Sequence, residues 1–346
     1  MRVLHAPIEI AGQATLSVLG LREIGVQATA LTDRHQFAYE TRPDVERPAS
    51  WPAFARVAAR EARRHDVVHF HFGLSFLPAA LPPALRTLDA RALRRLGKRV
   101  VVEFLGSDVR MPSIERARNP DYVPVEIEDD RRAAALMRAW ARATGGHAIV
   151  CDRTLHPFLE AHFEHLHVVG QRVDTRRLAA APPDPARTVP VVVHAPSDHA
   201  VKGTAHVRHA VAALRERGVS FEYDEVSGVP QPEARRRFAG ADLVIDQLCM
   251  GAHGVFAVEA MSLAKPVVCN LLPGARDAYP PGLPLIEADP RTLPEVLERW
   301  LAPQAGQERH RRGLESRAFA QRHHDVRVVA RRLVEAYRSL PVRGGA

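Results

Sequence analysis

The chain has 346 residues, of which 46% are hydrophobic and 25% are charged, the composition of an ordinary globular protein. Its formal net charge of +8 is accompanied by no nucleic-acid-binding signature, so we expect no nucleic-acid partner. No apolar run approaches the ~18 residues that a membrane-crossing helix needs, and no secretory leader opens the sequence. We therefore expect a cytoplasmic protein.

The three cysteines are odd in number, far apart and without a C-x-x-C pair. A disulfide framework and a zinc site are both disfavoured by this spacing. We predict that Cys151, Cys249 and Cys269 are buried as small apolar residues.

Short β-branched runs alternate with helix-like stretches through the first half of the chain. Because this alternation is typical of a parallel sheet covered by helices, we predict an N-terminal Rossmann-like domain over residues 1–175. The runs that we predict as its strands cover residues 2–6, 26–32, 66–72, 98–105, 147–151 and 166–170.

An amphipathic basic segment lies between the third and fourth of these runs. Helical spacing places leucines on one face and arginines on the other. We predict a helix that docks by its apolar face and exposes its arginines. The alternative is peripheral membrane contact, through anionic lipid head groups, between Arg86 and Arg99, or contact with an anionic acceptor. The two faces are Leu81, Leu85, Leu88, Ala92 and Leu96, and Arg86, Arg91, Arg94 and Arg95.

A proline-rich stretch near the middle of the chain predicts a linker over residues 176–189. Strand-like runs then resume, so we predict a second Rossmann-like domain over residues 190–322. Residues 323–346 would form a C-terminal helix that packs back toward the N-terminal domain. The second domain would have strands in 189–195, 221–226, 241–248 and 265–271, and helices over 202–218, near 231–238 and near 254–263.

Lysine is scarce, because Lys98, Lys202 and Lys265 are the only lysines among 48 basic residues. Lys202 stands with Gly203 after a strand-like run, where open α/β sheets bind ligands. A flexible point charge suits a phosphate, whereas the planar arginine fork suits other geometries. The pattern therefore favours a phosphate contact for Lys202 over the alternative of a surface lysine that opens a helix.

Three segments of the chain resemble family-4 glycosyltransferases of the GT-B architecture. They are "VVGQRVDTRRL", "VVVHAPSDHAVKGTAHVRHAVAAL" and "GAHGVFAVEAMSLAKPVV", in that order over about 100 residues. The resemblance implies two Rossmann-like domains facing a cleft, the second of which binds a nucleotide-diphosphate sugar. It also implies retaining transfer without a cofactor or a bound metal.

The resemblance implies which residues contact the donor. Lys202 would be the catalytic cation that stabilises the leaving diphosphate, and Glu259 would accept hydrogen bonds from the ribose hydroxyls. The alternative for Glu259 is an exposed helix residue. Free N–H groups at a helix start near Gly254 would bind the diphosphate. The remaining donor contacts would be Ser197, Gly203, Val255 and Phe256.

Three positions depart from the family pattern. Gly251 replaces a glutamate that contacts the donor sugar, Leu105 replaces a histidine, and the loop before Lys202 lacks an arginine. We interpret the chain as a divergent branch in which other polar residues substitute. The candidates are Asp108, Arg110, Asp246, Gln247 and His253.

The first half offers weaker candidates. Gly12 and Gln13 resemble the glycine loop that faces the donor, although an ordinary strand-to-helix turn explains them equally well. Asp108, our second catalytic candidate, would bind acceptor hydroxyls with Arg110, or the two would form an internal salt bridge.

Two histidines, His69 and His71, share one side of a strand. They are predicted to be packed and hydrogen-bonded, with substrate contact as the alternative. A metal site there would need a third ligand that the sequence does not identify.

The function that we predict is transfer of a sugar, with retention, from a nucleotide-diphosphate donor to a hydroxyl of a sugar, lipid-linked or small-molecule acceptor in glycan or glycosylated-metabolite biosynthesis. One alternative is a catalytically silent subunit that binds sugar nucleotides or acts as a scaffold. The other is a sugar-nucleotide epimerase of similar shape, which would need acid and base carboxylates that we cannot place.

Overall fold

The computed structural model describes residues 1–33, 41–125, 127 and 129–342. It divides into two compact units. Unit 1 comprises Met1–Ile114, Val125–Arg172 and Val326–Ala346, and unit 2 comprises Glu115–Pro124 and Val173–Asp325. The last four residues of the predicted C-terminal segment, 343–346, lie outside the described residues.

The secondary structure alternates as the sequence predicts. The strands are β1 (Arg2–Ala6), β2 (Gln27–Thr32), β3 (Val45–Glu46), β4 (Val67–His71), β5 (Arg99–Phe104), β6 (His147–Val150), β7 (His165–Val168), β8 (Val191–His194), β9 (Glu222–Glu225), β10 (Leu243–Ile245), β11 (Val267–Cys269) and β12 (Ile286–Glu287). The α-helices are α1 (Gln13–Glu23), α2 (Trp51–Arg64), α3 (Pro83–Arg86), α4 (Leu88–Arg95), α5 (Pro112–Arg118), α6 (Asp130–Thr144), α7 (His156–Leu159), α8 (His199–Lys202), α9 (Thr204–Glu216), α10 (Gln231–Gly240), α11 (Val255–Ser262), α12 (Leu293–Leu301), α13 (Gly306–His323) and α14 (Val326–Ser339).

Unit 1 contains a seven-stranded parallel sheet of order β3-β2-β1-β4-β5-β6-β7. Its central strands are buried on both faces, which explains their continuous apolar runs. The C-terminal helix α14 packs against α1 at a glycine, since a Cβ added at Gly20 would lie 2.2 Å from the Val326 carbonyl oxygen. The close approach of these two helices therefore requires glycine at position 20.

Unit 2 contains a five-stranded parallel sheet of order β12-β11-β10-β8-β9. The chain order of the strands reverses between β8 and β10, which makes their carboxyl ends the topological switch point of this sheet. Residues of the predicted linker pack along the same unit: Ala181 N–H donates to the Leu263 carbonyl, and the Pro183 carbonyl is hydrogen-bonded to the His310 imidazole.

Several boundaries differ from the sequence prediction. The predicted helix over 202–218 begins only at Thr204, as α9, because Gly203 adopts a left-handed conformation with φ of 72° and separates α9 from the short helix α8, which ends at Lys202. Strands β3 and β12, of two residues each, were not predicted from the sequence. Residues 115–124, assigned to the N-terminal domain from sequence, belong to unit 2.

The basic amphipathic segment forms the short helices α3 and α4, and most of its predicted apolar face is not docked. Leu85, Leu88 and Leu96 are 43%, 43% and 76% exposed, whereas Ala90 is buried and Leu93 packs against the core. The predicted face is therefore wrong, because two short helices separated at Thr87 turn Ala90 and Leu93 toward the core. No helix of the described residues is long and apolar enough to cross a membrane.

Candidate functional site

Lys202 is held by two side chains that follow strand β10. Its ammonium nitrogen lies 2.7 Å from Asp246 Oδ1 and donates to Gln247 Oε1 at 3.0 Å. The lysine side chain is 11% exposed and the Asp246 side chain is fully buried. The sequence singled out Lys202 and named Asp246 and Gln247 only as substitutes for missing polar groups, and the fold brings the three together.

The start of helix α11 lies beside this lysine. Gly254 precedes the helix, and its N–H donates to Asp246 Oδ2 at 2.7 Å. A Cβ added at Gly254 would lie 3.1 Å from the Lys202 ammonium nitrogen, so a side chain here would displace the ammonium by a few tenths of an ångström. We call Lys202, Asp246, Gln247 and Gly254 the lysine cluster. The N–H groups of Val255 and Phe256, both half-buried, belong to the first turn of the same helix.

The lysine cluster forms at the switch point of the unit 2 sheet. Lys202 comes from the connection after β8, and Asp246 and Gly254 come from the connection after β10. Because the helix start carries a partial positive charge and the lysine a full one, this end of the sheet is suited to an anion.

Gly203 and Ser197 occupy different environments. A Cβ added at Gly203 would lie 2.9 Å from the Leu248 Cβ, so this glycine permits close packing of the chain itself. This packing is an intramolecular reason for glycine at position 203, and the donor contact expected of Gly203 stays a prediction. Ser197 is exposed in the loop after β8, where Asp198 caps α8 by accepting from the Ala200 and Val201 N–H groups.

Glu259 lies on α11 and has partners that the sequence did not suggest. Gln231 Nε2 donates to Glu259 Oε1 at 3.1 Å, and Arg235 of α10 lies 3.4 Å from the same oxygen. Burial raises the pKa of Glu259, and Arg235 and Gln231 offset part of that rise. The alternative of an exposed helix residue is wrong, because the Glu259 side chain is only 12% exposed, and the ribose contact stays a prediction.

The other two lysines bind backbone. The Lys98 ammonium donates to the Arg63 and His65 carbonyls, and the Lys265 ammonium donates to the Ala239 and Ala241 carbonyls. Burial lowers the pKa of Lys265 to about 8. Lys202 differs from both because its acceptors are side chains and its ammonium lies beside the start of α11.

Gly251 cannot carry the glutamate that the family has at this position. Its φ is 67°, in the left-handed region, and an added Cβ would lie 2.3 Å from Leu272 Cγ. The difference from the family pattern therefore involves more than the loss of a glutamate side chain, because the backbone conformation and Leu272 leave no room for any side chain at position 251. His253, a proposed substitute, is buried and stacks on Tyr279 with ring centroids 4.5 Å apart.

Gln13 of unit 1 is committed to the protein backbone. Its Nε2 donates to the Arg172 carbonyl at 3.2 Å, and its Oε1 accepts from the Arg172 N–H at 2.8 Å. Gly12 is buried with φ of 77° directly before α1. Both amide atoms pair with the backbone of Arg172, and the donor contact expected of Gln13 stays a prediction. Glycine at position 12 suits an ordinary left-handed turn into the helix.

His69 and His71 are packed and hydrogen-bonded, as the sequence favours, and the structure adds His5 beside them. His5 Nδ1 lies 2.9 Å from His71 Nε2, and the Tyr337 hydroxyl of α14 lies 2.7 Å from His69 Nδ1 and 3.2 Å from His5 Nε2. The three imidazoles offer nitrogens within 4.8 Å of one another. The rings of His69 and His71 stack with only 4° between their planes, so their lone pairs do not converge on one point. This geometry suits a hydrogen-bonded core better than a metal site.

Glu103 and Arg172 complete this group. Glu103 Oε1 lies 2.5 Å from the Arg172 guanidinium, and Oε2 lies 3.1 and 3.2 Å from His69 and His71. Burial alone would raise the pKa of Glu103, but Arg172 and the two imidazoles outweigh it and hold that pKa well below its ordinary value. Burial lowers the pKa of His69 to about 3, so the imidazole is neutral. We call His5, His69, His71, Glu103, Arg172 and Tyr337 the histidine cluster.

The two carboxylate oxygens of Asp108 differ in their contacts. Its Oδ1 accepts from the Leu105 and Gly106 N–H groups at 3.0 and 2.8 Å, and its Oδ2 is buried without a hydrogen bond to any described residue. Burial raises the pKa of Asp108 to about 7. Arg110 is buried with its guanidinium carbon 5.8 Å from the centre of the Phe158 ring. A carboxyl that changes charge near neutrality is available for proton transfer or hydroxyl binding.

Comparison with protein-family models and with curated proteins finds no match. Solved structures do match over nearly the whole chain. HepE from Anabaena, solved with UDP and glucose, superposes with a TM-score of 0.61 at 14% identity, covering 98% of this chain and 100% of HepE. Sucrose-phosphate synthase from Thermosynechococcus elongatus gives 0.62 at 13% identity, covering 98% of both chains. WaaG, a glycosyltransferase of lipopolysaccharide biosynthesis, gives 0.61 at 13% identity over the full length of both chains. The chain therefore has the α/β GT-B fold, with two parallel sheets.

Proposed function

We propose that the protein is a metal-independent, retaining glycosyltransferase of the family-4 type whose donor is a nucleotide-diphosphate sugar. The observation that carries the proposal is the meeting of the Lys202 ammonium with the start of α11 at the switch point of the unit 2 sheet. The solved complexes of HepE with UDP and with UDP-glucose support a donor of this class.

The diphosphate would bind against Lys202 and the first turn of α11. As the glycosidic bond breaks, charge grows on the leaving diphosphate, so a fixed cation and oriented N–H groups stabilise the transition state more than the ground state. Val255 and Phe256 would supply the N–H groups. In a front-face reaction with retention, the departing phosphate oxygen itself would accept the proton of the acceptor hydroxyl.

Glu259 would hold the ribose hydroxyls in this arrangement. Its carboxylate is held by Gln231 and Arg235 in the structure, and it has acceptor capacity beyond these two contacts. Ser197, exposed in the loop after β8, would add a donor contact. In unit 1, Asp108 would bind an acceptor hydroxyl through its Oδ2.

A panel of UDP-, GDP- and dTDP-sugars tests the proposal against its two rivals. Transfer or slow hydrolysis of one donor supports a glycosyltransferase. Binding without turnover would indicate a silent subunit, and conversion of the sugar without loss of the nucleotide would indicate an epimerase. A thermal-shift screen with the free nucleotides identifies the base first, because a ligand that binds only the folded state raises its melting temperature.

Removal of metal tests the metal independence of the reaction. We expect turnover in excess EDTA to equal turnover without it, since Lys202 and the helix start would supply the positive charge. A loss of activity that Mg²⁺ or Mn²⁺ restores would contradict this part of the proposal.

The exposed leucines of α3 and α4 favour a lipid-linked acceptor over a free one. Leu85, Leu88 and Leu96 lie in the open beside the arginines of the same segment, the combination that binds anionic membrane surfaces. Sedimentation with phosphatidylglycerol vesicles tests this, with phosphatidylcholine vesicles and a Leu88→Glu/Leu96→Glu variant as controls. If the same fraction of protein sediments in all samples, the protein does not bind anionic membranes and the argument for a lipid-linked acceptor fails.

A further inference from the structure

We propose that Asp246 is a positioning residue, which fixes the Lys202 ammonium against the start of α11 and so prepares the site for a diphosphate. The inference rests on the proposed function, because it concerns the same donor site. It adds a role for a residue at which the family resemblance implies none.

One carboxylate bridges the two halves of the site. Asp246 Oδ1 lies 2.7 Å from the Lys202 ammonium, and Oδ2 accepts from the Gly254 N–H at 2.7 Å. The lysine and the glycine belong to different strand-to-helix connections, after β8 and after β10. The aspartate therefore sets the separation between the cation and the helix start, which neither connection could set alone.

Gln247 acts as the second holding group. Its Oε1 accepts from Lys202 at 3.0 Å, and its Nε2 is itself hydrogen-bonded to the Ala252 carbonyl. An ammonium group has three N–H donors. Two of them are directed at Asp246 and Gln247, so the third has a defined direction.

Asp246 is more deeply buried than Lys202, which shows that the aspartate lies behind the lysine and outside the space that a ligand would fill. The Asp246 side chain is fully buried, whereas Lys202 retains 11% exposure. A ligand that approaches from solvent meets the lysine before it meets the aspartate. Asp246 therefore lies behind the cation and does not take the place of the ligand.

The negative charge of Asp246 repels an incoming diphosphate. Any favourable effect of Asp246 must therefore come from holding the Lys202 side chain in one conformation. A lysine on a flexible stem loses rotamer freedom when it binds, and a preformed cation avoids this loss at the moment of reaction. We infer that Asp246 contributes through Lys202 alone. Its removal should then have no effect once the lysine is gone.

A double-mutant cycle tests this dependence. The proteins are wild type, Lys202→Met, Asp246→Asn and the double variant, assayed with the donor that turns over in the panel. We expect Asp246→Asn to lower kcat at least tenfold in the wild-type background and less than twofold in the Lys202→Met background. Equal losses in both backgrounds would show that Asp246 serves only the fold and would overturn the proposal.

An NMR measurement that needs no enzymatic turnover tests the positioning role of Asp246 independently of the proposed glycosyltransferase activity. Because the chain has three lysines, ¹³Cε-lysine labelling gives three side-chain signals, which Lys98→Arg and Lys265→Arg assign. We expect the Lys202 signal of the wild type to be that of an ordered side chain, and Asp246→Asn to move it to the position of a free lysine. A Lys202 signal that is already free in wild type, or unchanged in the variant, overturns the role of Asp246.

Inorganic pyrophosphate is the probe for the ligand. Failure of pyrophosphate and of every nucleotide to shift the wild-type Lys202 signal would contradict the proposed function, while the effect of Asp246→Asn on that signal would still decide the present inference. If Asp246→Asn does not fold, Gln247→Met removes the second acceptor. It should then mobilise Lys202 in the same spectrum, and an unmoved signal would count against positioning by this pair.

Discussion

The histidine cluster of unit 1 and the lysine cluster of unit 2 occupy equivalent places in their sheets and are built differently. Each lies toward the carboxyl ends of the two strands that flank the switch point, β1 and β4 in one sheet and β8 and β10 in the other. The histidine cluster is closed: His5, His69 and Glu103 are fully buried, and α14 covers them with Tyr337. The lysine cluster leaves its cation partly exposed at a helix start.

This difference teaches that a polar cluster at a switch point is not by itself a ligand site. In unit 1 the charges of Glu103 and Arg172 neutralise each other and burial lowers the pKa values of His5 and His69, so the cluster serves the core. In unit 2 Asp246 also pairs with the lysine, but this carboxylate is fully buried, whereas the ammonium is partly exposed and lies beside a helix start that carries the same sign of charge. Four substitutions test this division of roles, beginning with the largest expected effect.

Glu103→Gln should destabilise unit 1 without touching the donor site. Loss of the carboxylate leaves the Arg172 charge buried and unpaired, which costs on the order of 3–5 kcal/mol. Urea unfolding measures the loss, with Glu222→Gln, at an exposed glutamate of β9, as the matched control. Nucleotide affinity should be the same in both variants. Weaker nucleotide binding with unchanged stability would mean that the histidine cluster is the ligand site.

Lys202→Ala should act mainly on turnover. We expect turnover to fall by two or more orders of magnitude, about 3 kcal/mol of transition-state stabilisation, in a protein that still folds but is less stable because the buried Asp246 carboxylate loses its charged partner. Steady-state kinetics measure the loss, and Lys98→Ala is the control because that lysine binds backbone carbonyls in unit 1. Unchanged turnover would remove Lys202 from the mechanism.

Glu259→Gln separates nucleotide binding from sugar chemistry. Glutamine keeps the size of the side chain but loses charge-assisted hydrogen bonds to the ribose, so affinity for the nucleoside diphosphate should fall about tenfold. Calorimetry with the nucleotide that binds best measures the change. Equal affinity would assign Glu259 to the packing of α10 against α11 through Gln231 and Arg235.

Asp108→Asn should have the smallest effect, and that effect should depend on pH. The pKa of Asp108 is raised to about 7, so the unfolded chain loses this proton first, and the carboxyl makes folding less favourable as pH rises from about 4 to about 7. Asparagine does not titrate. The melting temperature of the variant relative to wild type should therefore increase across this range. A constant difference from pH 4.5 to 7.5 would mean that the carboxyl is not desolvated.

The strand pattern made most of the fold predictable. The ten predicted runs contain β1, β2 and β4 through β11, except that β7 begins one residue earlier. Most of these strands are buried, and buried parallel strands need continuous apolar residues, whereas the edge strands β7 and β9 are less buried and carry polar residues. The two-residue strands β3 and β12 carry no such run. The turn at Gly203 was missed because helical periodicity continues across it, and only the left-handed backbone angle marks the break.

The candidate site was predictable in part. Motifs located Lys202, Gly254 and Glu259, since a cation and a glycine at strand-to-helix connections have a chemical reason to be there. The role of Gly251 was not predictable, because it depends on Leu272, a residue distant in sequence whose side chain fills the space of a Cβ. The pairing of Gln13 with the backbone of Arg172 was not predictable either, because the two residues are 159 positions apart in the sequence.

What the sequence determined by itself is local and periodic: the alternation of strands and helices, and a single lysine at a strand-to-helix connection of the kind at which open α/β sheets bind ligands. What only the tertiary structure decided is which polar groups face each other. His5 joined His69 and His71 because β1 and β4 are neighbours in the sheet, and Asp246 joined Lys202 because β8 and β10 are neighbours in theirs. Hydrogen bonds and ion pairs act over about 3 Å, and the chain order of residues does not fix such distances until the strands have paired.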